Sequence, residues 1–160
     1  MVVKIRPMSP RDKPALMKIL KSSPEFKSHE VAVAEEVIDV YLQDINGAGY
    51  AVLVAEVDSA VAGYICYGST PCTVGTWDVY WVAVDPEKRG QGIGKALSEE
   101  VDAAIVKEHG RLIIIETSST PLYDNTRQFY LNRGYEIAGR IPDFYAPGDD
   151  MIIMTKRFRH

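Results

Sequence analysis

The chain is 160 residues long, one domain's worth, enough to bury a sizeable core and too short for two full domains. Hydrophobic residues make up 46% and charged residues 25%, which excludes a disordered or fibrous chain, and a net charge of −4 argues against a nucleic-acid or anionic-membrane surface. No apolar run reaches the roughly 20 residues of a membrane span, no signal-peptide core opens the chain, and two cysteines are too few for a disulfide framework or a zinc site.

These bounds predict a soluble, cytoplasmic domain over residues 1–160, with Cys66 and Cys72 reduced in a strand and its following loop. Val3–Arg6 alternates as a short strand. Ser9-Pro10-Arg11-Asp12 reads as a helix start: hydroxyl N-cap, proline at the first position, acid in the first turn. Leu16, Ile19 and Leu20 give that helix an apolar face, and Ser23-Pro24 ends it. A second helix is expected from about Ser28 to Ile45, with Ala34, Val37, Ile38, Tyr41, Leu42 and Ile45 three and four apart and Asn46-Gly47 closing it.

The period then changes from 3.6 to 2. Tyr50–Val57, a turn at Asp58-Ser59 and Ala60–Gly68 read as a hairpin. Thr76–Val84, rich in aromatic and β-branched residues, is a central strand that Asp85-Pro86 stops. A third helix carries Ile93, Leu97, Val101, Ala104 and Ile105 on one face, with Gly110 as its expected C-terminal cap. Leu112–Thr117 is a buried strand, a short helix covers about Asn125–Arg133 with Gly134 as cap, and closing strands occupy Tyr135–Arg140 and Met151–Lys156. The order β-α-α-β-β-β-α-β-α-β-β defines an α/β (α+β) fold with a mixed, mostly antiparallel sheet flanked by helices.

The segment richest in chemistry is Arg89-Gly90-Gln91-Gly92-Ile93-Gly94-Lys95, between a strand and a helix. Alternating glycines let successive amides point into one concavity, the helix start adds free N–H groups and the positive end of a dipole, and Lys88, Arg89 and Lys95 add charge. A phosphate fits there. Two common phosphate motifs fail on spacing. A P-loop needs four residues between its glycines and then Lys-Ser/Thr, whereas Gly90 and Gly94 are separated by three and Lys95 precedes Ala96. In a dinucleotide fingerprint the third glycine would come one residue later, after the first strand of a parallel unit.

What does fit is Arg-x-x-Gly-x-Gly, read as Arg89, Gly92 and Gly94 after Trp81-Val82-Ala83-Val84-Asp85-Pro86. This resembles the acetyl-CoA signature of the GNAT family of N-acetyltransferases. The element order resembles that family's over essentially the whole chain, and Tyr123–Tyr135, with its Phe129-Tyr130 pair and Gly134-Tyr135, looks like its fourth helix. The tail Ile141–Met154 resembles the closing hairpin of the branches that act on N-terminal amines and lysines.

The resemblance implies acetyl-CoA as cosubstrate and no metal. Its pyrophosphate would lie on the loop from Arg89 through Gly90, Gln91, Gly92, Ile93 and Gly94 to Lys95, and its pantetheine along Val82, Ala83 and Val84, with the Val84 amide facing the thioester oxygen. Tyr130 would be the proton donor to the leaving thiolate; Phe129 and Tyr130 lie ~100° apart on a helix, so only one faces any given side. Asn125 either caps the helix or bonds the cofactor. The base is Glu116, expected to be desolvated after a buried apolar run, or Asp78. The acceptor is an amine, a peptide or protein α-amine or lysine before small molecules, lined by residues 26–30 and Phe144-Tyr145, with Glu25, Glu30, Asp143, Asp149 and Asp150 suiting a cation. A homodimer is left open, nucleic acid and membrane are not expected as partners, and a non-catalytic acyl-CoA-binding or sensor domain is the alternative.

Overall fold

The computed structural model describes residues 2–45, 47 and 49–159. Its strands are β1 (Val3–Pro7), β2 (Ala51–Val57), β3 (Ala60–Ser69), β4 (Thr76–Val84), β5 (Leu112–Ser118), β6 (Glu136–Ala146) and β7 (Asp149–Arg157). The helices are α1 (Lys13–Ser22), α2 (Ser28–Gln43), α3 (Ile93–Lys107) and α4 (Asp124–Asn132), and the element order is the one the sequence predicts. One seven-stranded sheet runs β1-β2-β3-β4-β5-β7-β6, antiparallel throughout except between β4 and β5. Among the described residues no helix is long and apolar enough to cross a membrane.

Strand alternation gives the sheet two apolar faces. Ile93, Leu97, Val101 and Ile105 of α3 and Tyr130 of α4 pack with Ile113, Ile115 and Met154 on one. Leu16 and Leu20 of α1 and Ala34 and Ile38 of α2 pack with Val52, Val54 and Ala83 on the other. β4 and β5 pair only through Thr76, Trp77 and Asp78 against Leu112, Ile113 and Ile114, then part. Cys66 faces Trp81 while Tyr67 faces Val79, so Tyr80 is an extra residue in β4, a bulge where the strand begins to diverge.

Several boundaries differ from expectation for identifiable reasons. Residues 10–12 form a 3-10 turn before α1, because Asp12 accepts from the Ser9 amide at 2.7 Å and is gripped by both Arg6 terminal nitrogens at 2.8 Å. That guanidinium holds the Asp12 carboxyl down at about 2. α2 stops at Gln43; Asn46 of the expected terminator lies outside the described residues, and the Gly47 amide donates to the Asp44 carboxylate.

α3 is not closed by a left-handed Gly110. His109 takes the positive φ of 60°, and the amides of His109 and Gly110 return to Val106 and Ile105. Gly110 is needed instead for close approach, since a Cβ there would sit 2.9 Å from the Trp77 indole nitrogen. Gly134 does close α4 as predicted, at φ 91°. β6 runs six residues past Arg140, through Pro142 and Asp143: a mostly exposed edge strand needs no apolar alternation, a bulge absorbs Asp143 at φ 55°, and Pro147-Gly148 turn the chain into β7.

Candidate active site

β4 ends at Val84, and Asp85 caps a short 3-10 turn, its carboxylate accepting from the Glu87 amide at 3.0 Å. The chain then turns through Gly90 (φ 79°) and Gly92 (φ 84°), a region where a side chain would be strained. Gly92 is the N-cap of α3 and supplies no capping side chain. Among the described residues, the amides from Gly90 to Lys95 donate to no other group; the first bonded one is that of Ala96, to the Gly92 carbonyl. Gly94 is packed under Phe129, whose ring carbon would lie 3.6 Å from a Cβ there. The result is a half-exposed concavity of unsatisfied donors at a helix N-terminus, suited to an anion.

The strand leading into that loop offers a second set of free groups. The Asp85 amide donates to Ala62 on β3, so alternation turns Ala83 and Trp81 towards β3 and the backbones of Val84 and Val82 towards the gap left by β5. An extended amide-bearing ligand would there pair as an added strand. The anion nest at one end and an open strand edge leading from it are what a phosphate-terminated, amide-containing thiol such as coenzyme A requires.

Tyr130 is only 5% exposed and lies edge-on between Phe129 and Tyr135, with ring centroids 5.3 and 5.2 Å away. Phe129 faces Gly94 and Tyr130 faces inward, as their helical offset requires. Burial raises the phenol's pKa, so the hydroxyl keeps its proton. Glu116, by contrast, is exposed, so the desolvation expected for it is absent. Ile113 and Ile115 point to the α3–α4 side, which puts Glu116 on the opposite face, the face that α1 and α2 occupy.

Asp78 sits at the last paired position before the split, its carboxylate taking the Thr70 hydroxyl at 2.6 Å and the Tyr80 hydroxyl at 3.4 Å. Asn125 does not cap α4: Tyr123 holds the N-cap position and Asn125 is exposed in the first turn. Lys95 is largely exposed, 3.9 Å from Glu99.

The other end of the cleft is built from side chains. Phe26, in the α1–α2 connection, meets Trp81 of β4 at 5.6 Å. The Tyr123 hydroxyl donates to the Glu25 carbonyl at 3.2 Å and reaches Glu30 at 3.4 Å. Burial, then the carboxylates of Glu116, Asp149 and Glu30, push the Tyr145 phenol up to about 12. Tyr145 therefore marks where α2, β5 and the β6–β7 hairpin converge.

The remaining acids of the hairpin have partners within the protein. Asp143 and Asp150 staple the hairpin, accepting the Gly148 and Asp143 amides at 2.8 Å each, with Arg140 on Asp150 at 2.6 Å. Asp149 is buried and accepts the Ser118 hydroxyl at 2.5 Å. Sequence reasoning did not single out Tyr123 or Arg127, which donates to the carbonyls of Ser118 and Thr120 and fixes α4 against the end of β5. Neither belongs to a local pattern; only the fold brings them to the cleft. Among the described residues no cluster of His, Cys, Asp or Glu could hold a metal.

A mixed sheet split beside a nest of helix-terminal amides defines the frame of an acyl transferase with a long, phosphate-ended donor. A profile of the acetyltransferase (GNAT) domain matches residues 48–137, and the chain belongs to that family. A GNAT-family acetyltransferase structure from Desulfovibrio desulfuricans is 37% identical with a TM-score of 0.92, covering 98% of this chain and 99% of that one. An uncharacterized N-acetyltransferase of Methanocaldococcus jannaschii is 33% identical over 105 residues, 65% of this chain and 64% of that protein's length. A PaiA N-acetyltransferase from Thermoplasma acidophilum, solved with coenzyme A, shares the fold at a TM-score of 0.76 and 18% identity, covering 99% of this chain and all of that one.

Proposed function

We propose that this protein transfers the acetyl group of acetyl-CoA to a primary amine, a peptide or protein α-amine or lysine in the first place, by direct attack on the thioester. The observation that carries the proposal is the open backbone of Val82 and Val84, leading into the unpaired amides of Gly90–Lys95. Pantetheine amides pair with Val82 and Val84, the pyrophosphate takes the loop amides, and the Val84 N–H faces the thioester oxygen as negative charge develops. A donor of that kind is typically worth ~3 kcal/mol.

Tyr130 and Glu116 lie on opposite faces of the sheet at its split. That separation suits acyl substitution at the thioester carbonyl, the amine adding on one side to give an oxyanion that then expels thiolate on the other. The amine enters from the α1–α2 face, its nitrogen bonds to the thioester carbon, and Glu116 takes the surplus proton through water. The C–S bond breaks towards the α3–α4 face, where the Tyr130 hydroxyl donates to the leaving sulfur. Because burial raises that phenol's pKa, its contribution is mainly a hydrogen bond to the thiolate. Asp78, engaged by Thr70 and Tyr80, holds the cleft's apex and is the weaker candidate for the base.

Calorimetric titration with acetyl-CoA, CoA, ATP and NAD tests the donor site; binding of the first two alone is expected, and binding of neither refutes the proposal. Amine-dependent release of free thiol, followed by the product's mass, then identifies the acceptor. Tight binding without such release would make the protein an acyl-CoA sensor.

A further inference from the structure

The leading arginine of the glycine loop is not directed at the loop's concavity. Arg89 reaches across the cleft floor to the α1–α2 connection, where one terminal nitrogen lies 2.5 Å from Glu25 Oε1 and the other 3.3 Å from Oε2. The Ser23 hydroxyl, on a buried residue, accepts at 3.3 Å, and the arginine's Nε donates to the Val84 carbonyl at 3.3 Å. Glu25 is 10% exposed. A two-point guanidinium–carboxylate fork fixes orientation as well as distance, which a single lysine contact would not.

The same connection carries the residues that wall the acceptor end. Phe26 lies against Trp81, the Glu25 carbonyl accepts from Tyr123, and Glu30 follows one turn into α2. One side chain thus ties a strand residue of the donor edge to the acceptor wall. The Val84 carbonyl has a second lone pair, so Arg89 and a ligand amide can occupy it together.

We infer that Arg89 and Glu25 form a strut that couples the donor site to the acceptor wall, with Arg89 acting as a positioning residue rather than as a ligand of the pyrophosphate. The inference rests on the acetyl-CoA reading of the loop. Donor binding that settles Val84 and the loop also settles residues 25–27, and linkage makes the effect reciprocal, so a bound acceptor favours the donor.

CoA titration and amide hydrogen exchange, measured on the wild type, Arg89→Met, Glu25→Gln and the double variant, test this. CoA should slow exchange at Glu25–Lys27 in the wild type and not in any variant. The CoA Kd of the two single variants should agree within about threefold, and the double variant should match them, as two halves of one contact do. Arg89→Lys, which keeps the charge and loses the fork, should behave like Arg89→Met.

A Kd raised tenfold or more in Arg89→Met but not in Glu25→Gln would make Arg89 a phosphate ligand and overturn the inference. So would retained protection of residues 25–27 in the variants. Failure of the wild type to bind CoA would instead refute the donor-site reading on which the inference stands.

Discussion

The two ends of the cleft are made of different materials. The proposed donor end is main chain: the open edge at Val82 and Val84 and the unpaired amides of Gly90–Lys95 lie within one short stretch, and its glycines matter for the side chains they lack. The acceptor end is side chain: Glu25, Phe26 and Glu30 from the α1–α2 region, Tyr123 before α4, Glu116 on β5 and Tyr145 on β6 meet only because the fold assembles them. A backbone site recognises a constant ligand from a short stretch of chain. A side-chain site varies with every substitution, which is how one frame serves many acceptors.

The sharpest way to break this contrast is Tyr130→Phe, a donor-side position where a single side-chain atom is expected to matter. The turnover number should fall about 100-fold while the CoA Kd stays put, because only the bond to the leaving sulfur is lost. Burial raises the phenol's pKa, so wild-type activity should show no alkaline loss below pH 10 that Tyr130→Phe abolishes. Pre-steady-state thiol release beside CoA titration checks both.

The frame behind the cleft leans on a buried charge at the start of α1. Asp12 at the entry to α1 titrates at about 2 when folded against 3.8 unfolded. Its depressed pKa contributes stability that is complete above pH ~4 and is lost as the pH falls through 2. The shift corresponds to ~2 kcal/mol. Asp12→Asn should cost that much in urea denaturation at pH 6, and less than half of it at pH 2.5; an equal cost at both would show that the Arg6 grip is not the source.

Two smaller effects sharpen the comparison. Gly92→Ala places a Cβ at φ 84°, a strain of ~1 kcal/mol that should tilt the loop amides and weaken CoA about fivefold, with the amine's KM unmoved. Glu116→Gln should lower kcat/KM several-fold and Asp78→Asn less, since Asp78 already serves Thr70 and Tyr80. The reverse order would move the base to the apex of the split.

The same division explains what could be read from the sequence. The glycine loop, the strand before it, Thr76–Val84, and the Gly134 cap are local patterns, and their structures match. The desolvation expected of Glu116 failed because a buried run of Ile113 and Ile115 fixes only alternate positions, and Glu116 points the other way. Asp143, Asp149 and Asp150 looked like solvated acids facing a cation; their amide and hydroxyl partners lie up to 31 residues away in sequence. Arg89 looked like a loop cation, and its carboxylate is 64 residues upstream. His109 takes the left-handed position expected of Gly110, and the side chain Gly110 lacks would run into Ile105 Cγ2 as well as meet the Trp77 indole at 2.9 Å.

Three residue pairs are all the strand ladder between the first four strands and the last three; the Arg111 and Leu112 amides on the Gly75 carbonyl and the shared core under α3 join them as well. On the proposed reading, a donor lying along β4 would be a temporary eighth strand that lengthens this ladder. Thermal strength across that seam would then rise with donor occupancy, as for any ligand held by the native state alone.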